Sequence, residues 1–189
     1  MECMFVRDFI HVARPFQTIA PQFLRDPGWL RPIIDDAVCE AATVARALAG
    51  SPEQTADQTG NRTGDPTGDS AGNPARDGAS STVLDRGAVR TRTRGLVVPI
   101  SWSNRVDLSW FPPISGDLEI APIGLSRSEL VLSASYQSPE VLEPPADRPL
   151  IEPTSQSALV HRVVETGVRA FLQNLAVALE TGPAEIPRP

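Results

Sequence analysis

A long stretch without large apolar side chains divides the sequence into two parts and decides which residues can build a core. Residues 51–81 read SPEQTADQTGNRTGDPTGDSAGNPARDGASS, with no Val, Leu, Ile or aromatic residue. Such a segment cannot bury enough apolar surface to offset the entropy of ordering it. We therefore expect a disordered low-complexity insertion over 51–81, a single domain formed jointly by 1–50 and 82–182, and a flexible tail over 183–189.

The part before the insertion predicts one strand followed by two helices. Apolar residues alternate along 3–12 with the period of a half-buried strand. A short helix over 16–24 is expected to end at the turn residues 26–28. A second helix begins near Pro32, a residue suited to the first helical turn, and runs through good helix formers to about Leu48.

After the insertion the sequence predicts three strands and a long helix. The strands are expected at 88–103, 117–121 and 129–137, and the helix at 155–180. The last two strands share an apolar face made by Leu118, Ile120, Leu130, Leu132, Ala134 and Tyr136. The helix has an apolar stripe made by Val160, Val163, Val164, Phe171, Leu175 and Ala178. We expect the two surfaces to pack together, because each is the only large apolar surface available to the other.

Several of these segments resemble one group of proteins. The run 6–15 with the turn at 26–29, and the segments 98–102 and 111–122 followed by Tyr136 and the last helix, are similar to the START-like or SRPBCC helix-grip superfamily, which includes small bacterial proteins. The resemblance covers the chain apart from the insertion and the tail. It implies an α+β helix-grip fold, in which a curved antiparallel sheet packs on a long C-terminal helix and two shorter helices follow the first strand.

The number of strands departs from the pattern of that superfamily. Its members carry six strands between the second and the last helix, whereas the sequence predicts three. Fewer strands leave hydrogen-bonding edges of the sheet exposed, which favours a homodimer.

The resemblance implies a ligand groove between the sheet and the C-terminal helix. The candidate ligand-binding residues are Trp102, Leu118, Leu132, Tyr136, Phe171 and Asn174. Apolar walls with few polar groups suit a small hydrophobic molecule of the lipid or polyketide type. Two alternatives stay open: a non-enzymatic structural or interaction protein whose core is closed by its own side chains, and a cyclase-like enzyme. No catalytic residue is assigned, and binding is favoured over catalysis.

Two polar side chains on the last helix each have two interpretations. His161 could serve as a base because histidine titrates near neutral pH, but a surface hydrogen-bonded pair with Glu165 is the simpler interpretation of the i,i+4 spacing. Asn174 is the one polar residue within the apolar arc. It either hydrogen-bonds a backbone group in the core or orients a ligand.

Arg90, Arg92 and Arg94 alternate onto one face of the strand predicted over 88–103. If the alternation continued, they would share a face with the core residues of that strand. A bulge at Gly95 would turn them toward solvent, opposite the acidic residues of the next strands. An exposed ladder is favoured over an arginine that binds an anion at the mouth of the groove.

Other classes of function find little support in the sequence. With 17 basic and 23 acidic residues the net charge is −6, so no nucleic-acid partner is expected. The cysteines and histidines match no metal spacing, and neither a metal nor a cofactor is expected. Ser70 sits in a formal G-x-S-x-G motif, but a nucleophile elbow needs a preceding strand, and Ser70 lies inside the low-complexity stretch. Without a signal segment or an apolar membrane span, we expect a cytoplasmic protein.

Overall fold

The sheet is the largest element of the computed structural model, which describes residues 3–25, 27–48, 82–104, 111–137 and 153–182. In chain order the elements are β1 (Cys3–Val12), α1 (Phe16–Leu24), a 3-10 turn (Pro27–Trp29), α2 (Leu30–Leu48), β2 (Thr82–Arg86), β3 (Arg90–Arg92), β4 (Gly95–Asn104), β5 (Ile114–Ile123), β6 (Arg127–Gln137) and α3 (Pro153–Thr181). The predicted insertion with Ser70, and the predicted tail, lie outside the described residues.

The six strands form one antiparallel sheet in the order β1-β6-β5-β4-β2, and β3 also pairs with β4. Buried and more accessible residues alternate along β1 and along most of β6, since one face of the sheet lies against helices and the other is more accessible to water. The predicted strand and first helix agree with β1 and α1, and the second helix begins at Leu30, slightly before the predicted start. β1 lies at one edge of the sheet, and the homodimer stays a prediction.

The single long strand predicted over 88–103 is wrong. The chain forms β3, turns at residues 93–94 and returns as β4, and the preceding strand β2 was not predicted at all. Five strands therefore lie between α2 and α3 among the described residues, where three were predicted. The patterning missed the turn because its residues, Thr93 and Arg94, are not strong turn formers.

A one-residue shift of register separates β2 from β3. Arg86 pairs with Ile100 while Arg90 pairs with Val97, so residues 87–89 form a bulge opposite two residues of β4. Because a shift of one residue exchanges the two faces of a strand, Arg86 points to the helical side and Arg90 to the solvent side. The Arg86 guanidinium donates to the carbonyl oxygen of Phe23 at 2.6 Å, near the end of α1.

Helices α2 and α3 cover one face of the sheet and enclose the core. α3 packs on β1 and along α2. The predicted stripe of α3 is confirmed, since Val160, Val163, Val164, Phe171 and Leu175 are buried and Ala178 packs against the core. α2 contributes an apolar face made by Ile33, Ile34, Ala37, Val38 and Ala41. No helix among the described residues is long and apolar enough to cross a membrane.

The C-terminal end of α3 is tied to the end of β1. The Ala13 N–H donates to Glu180 Oε1 at 2.7 Å, and the Arg14 guanidinium donates to the Glu180 carbonyl oxygen at 2.6 Å. A cation at this end of a helix satisfies a carbonyl that has no partner within the helix and complements the helix dipole. These bonds hold one end of α3 against the sheet.

Candidate functional site

The space between the inner face of the sheet and α3 is the site that the sequence predicts, and it is called the inner groove below. Five strands supply inward side chains to one face, and α3 runs along that face from the His161 end to the Glu180 end. The chain has a helix-grip fold. This topology confirms the predicted α+β class, with two shorter helices after the first strand.

Comparisons with known proteins give weak similarities. No family model matches the chain. A search of curated proteins finds no significant match. Among solved structures, the Zhui aromatase/cyclase from Streptomyces sp. R1128 is 11% identical with a TM-score of 0.40, over 95% of this chain and 94% of that chain. Ara h 8.0201 is 11% identical with a TM-score of 0.39, over 96% of this chain and 100% of that chain.

The middle of the inner groove is closely packed. Leu118 and Leu132 are cross-strand neighbours on β5 and β6, and Phe171 lies on α3. All three have 0% exposure, so no water-sized space touches their side chains. Close packing of this kind is typical of a protein core.

The end of the inner groove near the start of α3 carries its polar groups. Tyr136, Ile114 and Trp102 form one row across β6, β5 and β4. The outer two side chains of the row are therefore about 10 Å apart at ordinary strand spacing. Both are 3% exposed.

The Trp102 indole is buried without a hydrogen-bond partner. Its ring packs against the Phe171 ring with a centroid distance of 5.5 Å. Its Nε1 is the one buried side-chain nitrogen or oxygen without a partner among the described residues. A buried N–H that has lost its water without gaining an acceptor costs about 1 to 3 kcal/mol.

Tyr136 belongs to a chain of three polar side chains. Its hydroxyl lies 2.6 Å from His161 Nδ1, and His161 Nε2 lies 3.4 Å from Glu165 Oε1. With the imidazole neutral and its proton on Nε2, the phenol donates to Nδ1 and Nε2–H points at the carboxylate. The predicted pair of His161 with Glu165 is thus present, and the structure adds Tyr136 to it.

Burial raises the pKa of Tyr136 to about 12, and the nearby charge of Glu165 acts in the same direction. The phenol is therefore a hydrogen-bond donor at neutral pH. Tyr136 and His161 are separate candidates in the sequence, and their contact was not predicted. The signal available was the inward position of Tyr136, because a buried tyrosine hydroxyl needs a partner.

Asn174 is half-buried on α3, three residues beyond Phe171. Part of its side chain therefore remains accessible to water, in contrast to Phe171. Its role as a ligand contact stays a prediction, as does that of the other five candidates.

The predicted arginine ladder faces solvent. Arg90 donates to both carboxylate oxygens of Asp117 at 2.8 and 2.9 Å, and Arg92 lies 3.2 Å from Glu119. Arg94 is exposed in the turn. The expected orientation is confirmed, but the predicted cause is wrong: Gly95 begins β4 opposite Arg92, and the turn at residues 93–94 pairs Arg90 with Val97 on the outer face of the sheet.

Proposed function

We propose that the chain binds a small apolar molecule with a hydrogen-bond-accepting oxygen, at the end of the inner groove between Trp102 and Tyr136. The unpartnered Trp102 N–H supports this function. A ketone, ester or hydroxyl oxygen on the ligand would accept from it. The ligand is of the lipid or polyketide type, with an apolar body that matches the aliphatic and aromatic side chains around that end.

The position of the Trp102 N–H explains why the proposed ligand needs an oxygen next to the indole. A purely apolar molecule would leave the indole N–H without an acceptor and would gain only the burial of its surface. An oxygen at the same place adds a hydrogen bond with a net value of about 1 kcal/mol. The Tyr136 hydroxyl is already engaged with His161, so Trp102 is the freer donor of the two.

The close packing around Phe171 favours a second candidate, a non-enzymatic interaction protein whose core is closed. Leu118, Leu132 and Phe171 leave no space in the middle of the groove. If the core is closed, the unpartnered Trp102 N–H only lowers the stability of the folded protein. The two candidates make opposite predictions for one substitution.

Trp102→Phe keeps an aromatic ring in place and removes only the donor and part of the ring. If the chain binds the proposed ligand, we expect wild-type protein to bind long-chain methyl ketones about fivefold more tightly than alkanes of equal length, a factor corresponding to about 1 kcal/mol. The variant should lose this difference. Binding is measured by thermal shift and by native mass spectrometry.

Trp29→Phe is the matched control, because the Trp29 N–H already donates to the Gln22 carbonyl oxygen at 3.2 Å. This variant should keep the preference for ketones. If wild-type protein binds neither ketones nor alkanes, and Trp102→Phe is more stable than wild type, the core is closed and the binding proposal fails.

A further inference from the structure

The outer face of the sheet carries a groove that takes no part in packing the core. It has a volume of about 530 Å³ and crosses β1, β6 and β5 on the side away from the helices. Six outward side chains line it, and together they are called the serine groove below: Phe5, Arg7, Ser115, Asp117, Ser133 and Ser135. Its volume lies in the range of small-molecule sites.

Short hydroxyl side chains form the floor of the serine groove. Strand pairing places Ser135 between Phe5 and Ser115, and Ser133 between Arg7 and Asp117. Outward positions of such a sheet usually carry β-branched or aromatic residues, which favour strands. Serine does not favour strands in this way. Where residues that do not favour the local structure also add nothing to packing, a functional reason is expected.

The hydroxyls of the floor offer both donors and acceptors. Ser135 Oγ donates to the Ser115 carbonyl oxygen at 3.3 Å, a long bond. Each serine hydroxyl can donate one hydrogen bond and accept two. The floor is therefore complementary to a ligand that itself carries several hydroxyl groups.

One bank of the serine groove combines an aromatic ring with a cation. Phe5 is 74% exposed, an unusual state for so large an apolar side chain. Arg7 is exposed, and no hydrogen bond or ion pair joins it to another described residue. It lies two residues from Phe5 on the same face of β1, so its donors are available to a ligand in the groove.

Asp117 supplies a carboxylate on the opposite bank. Both of its oxygens accept from one nitrogen of Arg90, Nη2. Two carboxylate oxygens have about four acceptor sites between them, so this pair leaves acceptors for a ligand. The negative charge of Asp117 also disfavours a phosphate or another anion as ligand.

We propose that the serine groove binds a saccharide. A pyranose ring has a face of C–H groups, which packs on an aromatic face such as that of Phe5. Its hydroxyl groups match the serine floor, the Asp117 acceptors and the Arg7 donors. The site lies on the opposite face of the sheet from the inner groove, so it is independent of the function proposed above.

Saturation-transfer NMR and titration calorimetry with the full chain test this assignment. The probes are methyl glycosides of glucose, galactose and mannose, with N-acetylglucosamine. We expect at least one of them to show saturation of its ring protons. Phe5→Ser should then weaken binding about tenfold, equivalent to about 1.4 kcal/mol, because the stacking platform is lost.

Phe9→Ser is the matched control. Phe9 lies on the same strand and the same face, is 61% exposed, and is not among the residues lining the serine groove. This variant should bind the saccharide as wild type does. Ser133→Val fills the floor with a residue that favours strands, so it should stay folded and lose binding.

Three results would overturn the assignment. The first is a wild-type protein for which none of the four saccharides gives a signal. The second is equal weakening by Phe5→Ser and Phe9→Ser. The third is a wild-type dimer in light scattering that Phe5→Ser converts to monomer, because the groove would then be covered by a second copy of the chain.

Discussion

At the scale of single residues, Tyr136 shows how burial and one partner set the chemistry of a group. The phenol is 3% exposed and bonded to His161, so its ionised form would lose water and face the carboxylate of Glu165. Both effects favour the protonated form. Tyr136 is the single tyrosine of the chain, which makes its ionisation directly observable.

We expect Tyr136 to ionise near pH 12 in the native protein and near pH 10 after denaturation in urea. The phenolate absorbance in the near ultraviolet reports both titrations. Because the pKa is raised in the folded state, the associated stability is present below pH 10 and is lost as pH rises toward 12. Glu165→Gln should lower the native pKa. A native titration indistinguishable from the denatured one would contradict the buried environment.

At the scale of elements, Gly116 allows a close approach between β5 and β6. A Cβ at this position would lie 2.3 Å from the Ser133 carbonyl oxygen, and backbone atoms cannot move aside cheaply. Glycine inside a strand often marks such a close approach. The bulge at residues 87–89 also acts at the level of the element, since it places Arg86 of β2 and Arg90 of β3 on opposite faces of the sheet.

Gly116→Ala should destabilise the protein by about 1 to 3 kcal/mol or more, because a methyl group must fit where there is no space. Ser115→Ala, at the neighbouring exposed position, should change stability by no more than about 0.5 kcal/mol. The free energy of unfolding in urea, measured for both variants, makes the comparison. If the two variants are equally stable, the strands are not as close at Gly116 as the structure has them.

At the scale of the whole molecule, the core is built from both parts of the chain. Val6 and Val12 come from the first part, whereas Leu118, Leu132 and Phe171 come from the second, and they belong to one buried cluster. The two parts must fold together, although residues 51–81 separate them in the sequence. Whether residues 51–81 contribute to the stability of the protein can be tested by deleting most of them.

Deletion of residues 52–80 should leave the melting temperature nearly unchanged, because their composition offers nothing for a core. Circular dichroism during heating measures it. Leu130→Asp, which would place a charge in the core, is the positive control for loss of stability. A loss of cooperative unfolding on deletion would show that the segment packs on the domain.

Much of the fold could be predicted because its signals are local. The alternation in β1 and β6 and the stripe of α3 repeat with the period of their own element, and a chain of this composition has to bury those faces. Turns with weak signals were missed, which is why β3 and β4 were expected as one strand. For the candidate site, the apolar faces that enclose it were predicted, but the contacts between its polar groups were not.

Periodicity and burial act within each element, so the amino-acid pattern was enough to predict which side chains face inward and that the last helix lies against the sheet. The contacts between polar groups depend on how the elements are arranged in three dimensions. Tyr136 and His161 are 25 residues apart in the chain, and Phe5 and Ser115 share no local pattern. Their meeting depends on strand order and register, and a bulge of one residue is enough to exchange the faces of a strand.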